Sequence, residues 1–569
     1  MGMGGSGRRP VHVDGQAVAV PHLPVPGPSE PVDEADADRA PVHRHRDLRL
    51  PHHHRLGGSS ASSVGPAAGA RGLALVRRRS HDVQRERHDR EAQRRSARLR
   101  DGRPRVTAPV RKARIGGAEI EYRGTVGEID VSDGEDGPGA RYVFAEYIRT
   151  DLTDDERAVR PVLFAFNGGP GSSSVWLHLG LGPRRVADAD TLHPRMAPPF
   201  ALVDNADSPL DVADLVFIDP PGTGYSRIHP DADRERFHGV EQDARATLEF
   251  IGRWVRRNGR EQSPRFVMGE SYGTHRAARM SRLANGGPMR GGTTRATSLN
   301  GAIVLGPAFG LGEPAWNGDV RAALEFPTLV HTARHHGAVS DLSDDDVSDF
   351  ARTELLPALV AGTQLEDAER EALAARMGGL LGLPAPVLIE HDLRITPDAF
   401  ARLALREQGR QLGMYDSRYT LAADGAGSDP VADDPAMGAY APQFTGAIQH
   451  YLREELGYAS DDEYRAIDFR LAMGGWDWDG HDSPHSNCFG DFTEAVRRDE
   501  RFELMIGVGE YDLVTTRAAT EFTFTRFRFD RSRVHLKVYG SGHMPYLGEA
   551  PRVALATDIR GFVGAGAAP

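Results

Sequence analysis

The sequence predicts an α/β fold in which a mostly parallel sheet carries helices on both faces and a largely helical segment is inserted as a cap. Three observations predict it. After about residue 110, short apolar runs typical of buried strands alternate with amphipathic helical segments. Between about Gly310 and Glu494 the pattern becomes mostly helical, and apolar strands return afterwards. The helical part therefore interrupts one sheet, and we expect it to cover the active edge of that sheet.

Residues 1–106 differ in composition from the rest of the chain. They contain no Ile, Phe, Tyr, Trp or Asn and show no apolar periodicity. Such a segment cannot bury enough apolar surface to offset its ordering entropy. We therefore expect it to be disordered, or to be a mis-assigned extension of a protein that begins near Thr107. The histidine run His52-His-His54 in this segment is not assigned to a metal site, and no metal is expected.

Charge and composition disfavour several function classes. Residues 1–106 carry 20 Arg against 12 Asp plus Glu, which leaves about -20 on the rest of the chain and argues against a nucleic-acid partner. No apolar stretch approaches the roughly 18 to 20 residues of a spanning helix, so no membrane partner is expected. The single cysteine, Cys488, excludes an intramolecular disulfide. No signal peptide is recognised, so a cytoplasmic location is the default expectation, with secretion or the periplasm as the alternative if the N-terminus is mis-assigned.

The first part of the predicted core covers residues 107–309. Ile120–Val131 and Arg141–Arg149 alternate apolar and polar residues and predict antiparallel strands. Residues 240–257 and Thr274–Leu283 have the periodicity of helices. Continuous apolar runs predict buried strands at Pro161–Phe166, Asp214–Ile218, Arg265–Met268 and Ala302–Leu305.

The predicted cap covers residues 310–494, and the second part of the core covers residues 495–569. Asp341–Leu356 and Leu365–Met377 are predicted helices of the cap. Strands return after the cap and are predicted at Phe502–Val508 and Val534–Tyr539.

A serine at a strand-to-helix turn is the first candidate for chemistry. Gly269-Glu-Ser-Tyr-Gly273 follows an apolar strand and opens a helix. The five-residue pattern alone is weak evidence in a chain with 64 glycines. In this setting, however, the turn lifts a serine hydroxyl above the sheet, and the helix N-terminus favours negative charge. Ser271 is therefore the predicted nucleophile of an α/β-hydrolase fold, and a plain structural turn is the alternative.

A serine nucleophile needs a base and a carboxylate, which in this fold follow later strands in the order Ser, Asp or Glu, His. Two loops fit. Gly509-Glu-Tyr-Asp512 follows one predicted strand, and Gly540-Ser-Gly-His543 follows the next. His543 is the predicted base and Asp512 the predicted carboxylate, with Glu510 as the competitor.

Acyl transfer also needs donors for the oxyanion. One should be the backbone N–H of Tyr272, directly after the nucleophile. The other is predicted at Gly169, in a loop where glycines allow substrate to approach the backbone. A phosphate cradle is the alternative for this loop, but the Gly-x-x-x-x-Gly-Lys-Ser/Thr pattern is missing.

Several motifs together resemble the serine carboxypeptidase family, and its bacterial branch fits best, over roughly Ile115 to Val563. The motifs are Asn167-Gly-Gly-Pro-Gly-Ser-Ser173, Asp219-Pro-Pro-Gly-Thr-Gly-Tyr-Ser226, Gly269-Glu-Ser-Tyr-Gly273, Tyr511-Asp512, Gly542-His543-Met544 and, more loosely, Gly413-Met-Tyr-Asp-Ser-Arg-Tyr419. The resemblance implies a serine-type exopeptidase that uses no cofactor. Its expected partner is a peptide substrate with a free C-terminus, and the sequence leaves open whether the protein forms a homodimer.

In that family the residues that correspond to Asn167 and Glu270 bind the terminal carboxylate of the substrate. Glu270 would have to be protonated to donate a hydrogen bond to another carboxylate, which favours acidic pH. A structural hydrogen bond at the turn is the alternative role for Glu270. Many members carry a second Glu where this chain has Gly180, and some carry an aromatic residue where it has Ala165. These departures leave the pH range open.

The alternative function is that of an esterase or acyltransferase with the same triad, because fold and nucleophile do not determine the acyl acceptor. A catalytically silent binding protein is the third hypothesis. Trp476-Asp-Trp-Asp479 is predicted to serve aromatic packing rather than to line the substrate cleft.

Overall fold

The structure is a computed structural model that describes residues 105–132, 139–286, 297–310, 318–424, 427, 429–471, 475–478 and 487–567. The chain divides into two units, Met1–Gln93 and Arg94–Pro569, and every described residue belongs to the second. The predictions for residues 1–104, including the histidine run, lie outside the described residues. Val106, the last residue assigned to the N-terminal extension, already forms part of a strand.

The first part of the core alternates strands and helices, as the sequence predicts. All of its predicted strands and helices are confirmed, with ends that shift by up to about two residues. The elements are β1 Val106–Thr107, β2 Arg111–Ile115, β3 Ala118–Ser132, β4 Gly139–Arg149, α1 Asp154–Val159, β5 Val162–Phe166, α2 Val175–Leu181, β6 Arg184–Val186, β7 Leu202–Asp204, β8 Asp214–Asp219, β9 Arg227–Ile228, α3 Val240–Asn258, β10 Arg265–Glu270, α4 Gly273–Ala284 and β11 Gly301–Leu305.

The inserted segment is mostly helical and contains one small hairpin among its described residues. The predicted helix Asp341–Leu356 begins later, at Asp344, because Ser343 caps it, and it continues through a π-helical turn at Ala351–Leu355. The elements are α5 Gly318–His335, α6 Asp344–Phe350, α7 Leu356–Ala361, α8 Asp367–Leu381, α9 Ala385–Glu390, α10 Pro397–Leu403, β12 Arg410–Leu412, β13 Thr420–Ala422, α11 Pro435–His450 and α12 Phe489–Arg498.

The last part of the chain returns to the sheet, with both predicted strands confirmed. Its elements are β14 Glu503–Gly509, α13 Arg517–Arg526, β15 Val534–Tyr539 and α14 Glu549–Gly566.

Eleven strands of the described residues form one sheet, whose main path is β1-β3-β4-β8-β5-β10-β11-β14-β15. From β8 to β15 all neighbouring strands are parallel, whereas β4 pairs antiparallel with β8. This mostly parallel sheet confirms the predicted α/β-hydrolase fold class. The carboxyl ends of parallel strands meet at one edge of a sheet, so the loops after β5, β10, β14 and β15 lie side by side.

The central strands of the sheet are buried on both faces. Along β5, Leu163 and Ala165 belong to one apolar cluster and Phe164 to the other, as the period of two requires. One cluster includes side chains of α2, α11 and α14, and the other includes side chains of α3, α4 and α12. Both faces therefore carry helices, which explains why the core strands have continuous apolar runs.

The segment between β11 and β14 connects two neighbouring parallel strands. Part of it has an apolar core of its own, built around Phe326, Phe350 and Phe400. Its last helix, α12, instead packs Phe489 and Phe492 against the sheet. Among the described residues, no helix combines the length and the apolar character that crossing a membrane requires.

Candidate active site

Ser271 lies in a strained turn between β10 and α4. Its φ of 57° is in the left-handed region that non-glycine residues rarely adopt, and its amide donates a 3.0 Å hydrogen bond to the carbonyl oxygen of Leu305. Ser271 is partly exposed, whereas its neighbours Glu270 and Tyr272 are buried. The turn therefore holds one hydroxyl-bearing residue within reach of solvent at the end of a buried strand.

Asp512 and His543 form a buried hydrogen-bonded pair. Oδ2 of Asp512 lies 2.7 Å from Nδ1 of His543, and both side chains are almost fully buried. An ionised carboxylate can only accept, so Nδ1 of His543 donates and Nε2 is left as the acceptor. Glu510, the other carboxylate of the same loop, is 33% exposed and has His331 as its ion-pair neighbour at 3.8 Å. The structure thus places Asp512, and not Glu510, on the histidine.

Asp512 is held by the turn that follows it. Its Oδ1 accepts hydrogen bonds from the amides of Val514 at 2.8 Å and Thr515 at 2.9 Å. The hydroxyl of Thr515 donates to Oδ2 at 2.6 Å and lies 3.1 Å from Nδ1 of His543. Thr515 was not singled out in the sequence. An Asp whose side chain accepts amides two and three residues ahead is a recognised turn pattern, and that spacing was the available signal.

The imidazole of His543 is protonated more readily than that of an ordinary histidine. Burial lowers its pKa, but the negative charges of Asp512 and Glu270 together raise it above the usual value. Its Nε2 is buried and has no hydrogen-bond partner among the described residues. No hydrogen bond joins it to Ser271, which is common for such pairs in the absence of substrate.

Ser271 and His543 share a neighbour at the end of β11. The amide of Ser271 donates to Leu305, and the next residue, Gly306, faces the imidazole. A Cβ at Gly306 would lie 2.7 Å from Nδ1 of His543, which is closer than real Cβ atoms approach. The end of β11 therefore brings the serine turn and the histidine loop together.

The loop after β5 packs against the serine turn. A Cβ at Gly168 would lie 2.5 Å from the backbone nitrogen of Tyr272, so this close approach requires glycine. The next residue, Gly169, has a φ of 104°. Within the described parts of the chain, the backbone N–H groups of Gly169 and Tyr272 donate no hydrogen bond. Both are thus free to serve an acceptor that the protein does not supply.

Asn167 and Glu270 form a buried pair beside the nucleophile. Nδ2 of Asn167 donates to Oε1 of Glu270 at 2.7 Å, and Oδ1 of Asn167 accepts from the amide of Leu177 at 3.0 Å. Oε2 of Glu270 has no partner among the described residues. Burial raises the pKa of Glu270 to about 7, although His543, Tyr546 and Asn167 each oppose this rise.

A buried ion pair contacts both Asn167 and Tyr272. Nε of Arg276 lies 2.7 Å from Oδ2 of Asp243, with both side chains about 1% exposed. Arg276 also donates through Nη1 to the backbone oxygen of Asn167 at 2.7 Å. The hydroxyl of Tyr272 donates to Asp243 at 3.3 Å. The pair therefore ties Asn167 to Tyr272, and no local sequence pattern marked it.

Two aromatic segments of the insertion contact the site. Trp476 and Trp478 pack edge-on against the ring of Tyr272 at centroid distances of 5.3 and 5.8 Å. Asp479, the last residue of that motif, lies outside the described residues. Tyr415 packs edge-on against the ring of His543 at 5.3 Å and accepts the His543 amide hydrogen bond at 2.7 Å. Trp476 and Trp478 thus contact Tyr272 directly, and Tyr415 braces the histidine loop.

Within the described ranges, no group of three or more His, Cys, Asp or Glu side chains is arranged to hold a metal ion.

Comparisons with known proteins give a family match for part of the chain. Residues 142–312 match the family model described as serine carboxypeptidase. No curated protein matches the chain. The matched segment contains Asn167, Glu270, Ser271 and Tyr272 and ends before Asp512.

Among solved structures, the chain is similar to a prohormone-processing carboxypeptidase from Saccharomyces cerevisiae, at 14% identity and a TM-score of 0.49 over 78% of this chain and 90% of that chain. It is also similar to a proline iminopeptidase from Mycobacterium smegmatis, at 12% identity and a TM-score of 0.31 over 78% and 99% of the two chains. A soluble variant of a monoglyceride lipase from Saccharomyces cerevisiae matches at 13% identity and a TM-score of 0.33 over 78% and 95%.

The assignment to a bacterial branch stays a prediction. Over residues 142–312 the chain matches the serine carboxypeptidase family model, which confirms for this segment the family resemblance inferred from its motifs.

Proposed function

We propose that the protein is a serine-type carboxypeptidase that releases single amino acids from free peptide C-termini. The observation that carries the proposal is the buried pair of Asn167 and Glu270 directly beside Ser271. An acyl-transfer enzyme for neutral esters has no need of a carboxyl group with a raised pKa at this point. A neutral carboxyl group is, however, a donor that can bind another carboxylate without repulsion.

In the proposed mechanism, Ser271 attacks the last peptide carbonyl while Nε2 of His543 takes its proton. The N–H groups of Gly169 and Tyr272 stabilise the oxyanion that forms. His543 then protonates the leaving amine, and the C-terminal amino acid departs. Water, activated by the same histidine, attacks the acyl-enzyme and releases the shortened peptide.

Asp512 has the role of orienting the imidazole. Its contact with Nδ1 selects the tautomer that leaves Nε2 free, and its charge stabilises the imidazolium that forms during proton transfer. Thr515 and the two amides hold the carboxylate in place, so the base does not depend on a mobile partner.

The binding of the substrate carboxylate should depend on pH. Glu270 donates a hydrogen bond only while it is protonated, and with a pKa of about 7 it loses that proton as the pH rises through neutrality. His543 must be neutral to act as the base, which sets the lower limit. Protonation of Glu270 removes one of the negative charges that raise the pKa of His543, so the two groups assist each other in the working state.

The test compares a blocked dipeptide that has a free C-terminal carboxylate with its C-terminal amide. The wild-type protein should release the amino acid from the acid with a strong preference over hydrolysis of the amide. Ser271→Ala should abolish turnover, and a fluorophosphonate probe should label wild type but not this variant. Equal turnover of acid and amide would indicate an esterase or acyltransferase, and absence of labelling would indicate a catalytically silent protein.

A further inference from the structure

Besides Nε2 of His543, two polar atoms beside the serine turn are buried without a hydrogen bond of normal geometry among the described residues. One is Oε2 of Glu270, on a residue that is 3% exposed, and the other is the hydroxyl of Tyr546, on a residue that is 0% exposed. The Tyr546 hydroxyl lies beside Glu270 and Asn167, since both influence its pKa. Glu270 and Asn167 act on the pKa of Tyr546 as hydrogen-bonding neighbours, but neither has the geometry of a hydrogen bond with its hydroxyl within the described structure. Buried polar groups nearly always have partners, so a cluster of orphaned atoms in a candidate site indicates a ligand.

The chemistry of the cluster specifies the ligand. Tyr546 contributes an O–H donor, Asn167 has an N–H in addition to the one it gives to Glu270, and protonated Glu270 contributes another donor. Arg276, the nearby cation, is already paired with Asp243 and donates to the backbone of Asn167. Several converging neutral donors fit the two oxygens of a carboxylate, which they can bind by hydrogen bonds rather than by an ion pair.

The ring of Tyr546 is held in one place. A Cβ at Gly180, on α2, would lie 2.3 Å from Cδ2 of Tyr546, so the ring uses space that is open only because residue 180 lacks a side chain. The loop that carries Tyr546 is closed by a 3.0 Å hydrogen bond from the Leu547 amide to the Met544 oxygen. Because His543 is three residues earlier, the phenol has a defined position relative to the candidate base.

We propose that Tyr546 is a specificity-determining residue whose hydroxyl donates a hydrogen bond to the terminal carboxylate of the peptide, alongside Asn167 and Glu270. This inference rests on the proposed carboxypeptidase function and names a third contributor to its carboxylate site. The phenol supplies a donor that keeps its proton across the physiological range, since burial holds its pKa far above neutrality. Glu270 is then the one donor of the three that titrates near neutral pH.

The test measures binding without catalysis. The full chain carrying Ser271→Ala is titrated calorimetrically with a blocked dipeptide acid and with its C-terminal amide. The acid should bind at least about 10-fold more tightly than the amide, which is the scale of one hydrogen bond to a charged group. Adding Tyr546→Phe keeps the ring against Gly180 and removes only the hydroxyl, and it should reduce this preference several-fold while Asn167 and Glu270 sustain the rest.

The matched control is Tyr142→Phe. Tyr142 is also a tyrosine that is 0% exposed and whose hydroxyl has no partner among the described residues, but it packs against Phe250 on α3. The Tyr142→Phe substitution should leave the preference for the acid unchanged. A second variant, Gly180→Ala, keeps the hydroxyl but displaces the ring, and it should also reduce the preference.

The outcomes separate the two proposals. If the Ser271→Ala protein binds acid and amide equally, both the carboxypeptidase proposal and the role of Tyr546 are overturned. If the acid is preferred and Tyr546→Phe retains that preference, the role of Tyr546 alone is overturned. An equal loss in Tyr142→Phe would show that the effect is structural and would also overturn it.

Discussion

Oδ2 of Asp512 lies 2.7 Å from Nδ1 of His543, while Glu510, two residues earlier in the same loop, points to His331 instead. Substitution of Asp512 and substitution of Glu510 should therefore have different effects on catalysis. Asp512→Asn should lower kcat by about 10³- to 10⁴-fold with little change in KM, because the amide no longer selects the tautomer or stabilises the imidazolium. Glu510→Gln is the matched control and should stay within a few-fold of wild type. Steady-state kinetics of the two variants would contradict this assignment if Glu510→Gln were the more damaging.

The raised pKa of Glu270 predicts a specific pH dependence. In wild type, KM for a free-acid peptide should rise above about pH 7, where Glu270 ionises and repels the substrate carboxylate. Glu270→Gln has an amide donor at every pH, so its KM should be nearly flat between about pH 5 and 9. On the acidic limb of kcat/KM Glu270 is already neutral in wild type, so its negative charge does not act on His543 there and that limb should move little in the variant.

The control for this prediction is a substrate without a terminal carboxylate, such as the C-terminal amide. Its KM should not respond to the ionisation of Glu270 in either protein. Superimposable pH profiles of KM for wild type and Glu270→Gln on the free acid would contradict the role given to Glu270.

The core strands could be predicted from sequence because strands buried on both faces are apolar along their whole length. Pro161–Phe166 predicts β5 to within one residue. Val534–Tyr539 predicts β15 without a shift, although β15 is a partly exposed strand at the edge of the sheet. The helix boundaries of the insertion were harder to predict from sequence. Asp341–Leu356 spans α6, a π-helical turn and the start of α7, whose boundaries depend on caps and on packing between short helices rather than on periodicity.

The residues of the candidate site also fall into two groups: those that the sequence predicts and those that only the folded chain brings together. Ser271, Asp512 and His543 each follow a strand, so strand order and loop position were enough to single them out. The contact of Tyr546 with the Gly180 position joins residues that are far apart in sequence, and no local pattern marks it. The same holds for Arg276 and Asp243, whose pairing depends on how α3 and α4 pack. Such contacts are properties of the folded chain.

The buried pair of Arg276 and Asp243 predicts a large effect on stability. Asp243→Asn leaves the guanidinium buried without its counter-charge, which should lower the free energy of unfolding by about 3–5 kcal/mol. The control is Asp398→Asn, which breaks an exposed pair with Arg402 on α10 and should cost less than about 0.5 kcal/mol. Chemical denaturation measures both. A similar cost for the two variants would mean that the buried pair is not an important support of the site.

The contact between Gly306 and His543 predicts a loss of catalysis without loss of binding. In Gly306→Ala the new Cβ would lie 2.7 Å from Nδ1 of the imidazole, so the ring must move away from Asp512 or from Ser271. A displacement of this size should lower kcat by about 10²-fold, whereas KM should change little because the carboxylate site is elsewhere. The downfield proton resonance of Nδ1 should shift or disappear in the NMR spectrum of the variant.

Gly259→Ala separates this steric effect from backbone strain. Gly259 has a φ of 62°, close to the 50° of Gly306, but a Cβ there would meet nothing within 4 Å. Each substitution should cost roughly 1–2 kcal/mol of stability for placing alanine in the left-handed region, and Gly306→Ala adds the cost of its clash with His543. Gly259→Ala should nevertheless keep the wild-type kcat and the Nδ1 resonance. If both variants lost activity in proportion to their loss of stability, the imidazole would not depend on the close approach of Gly306, and the role given to the end of β11 would be wrong.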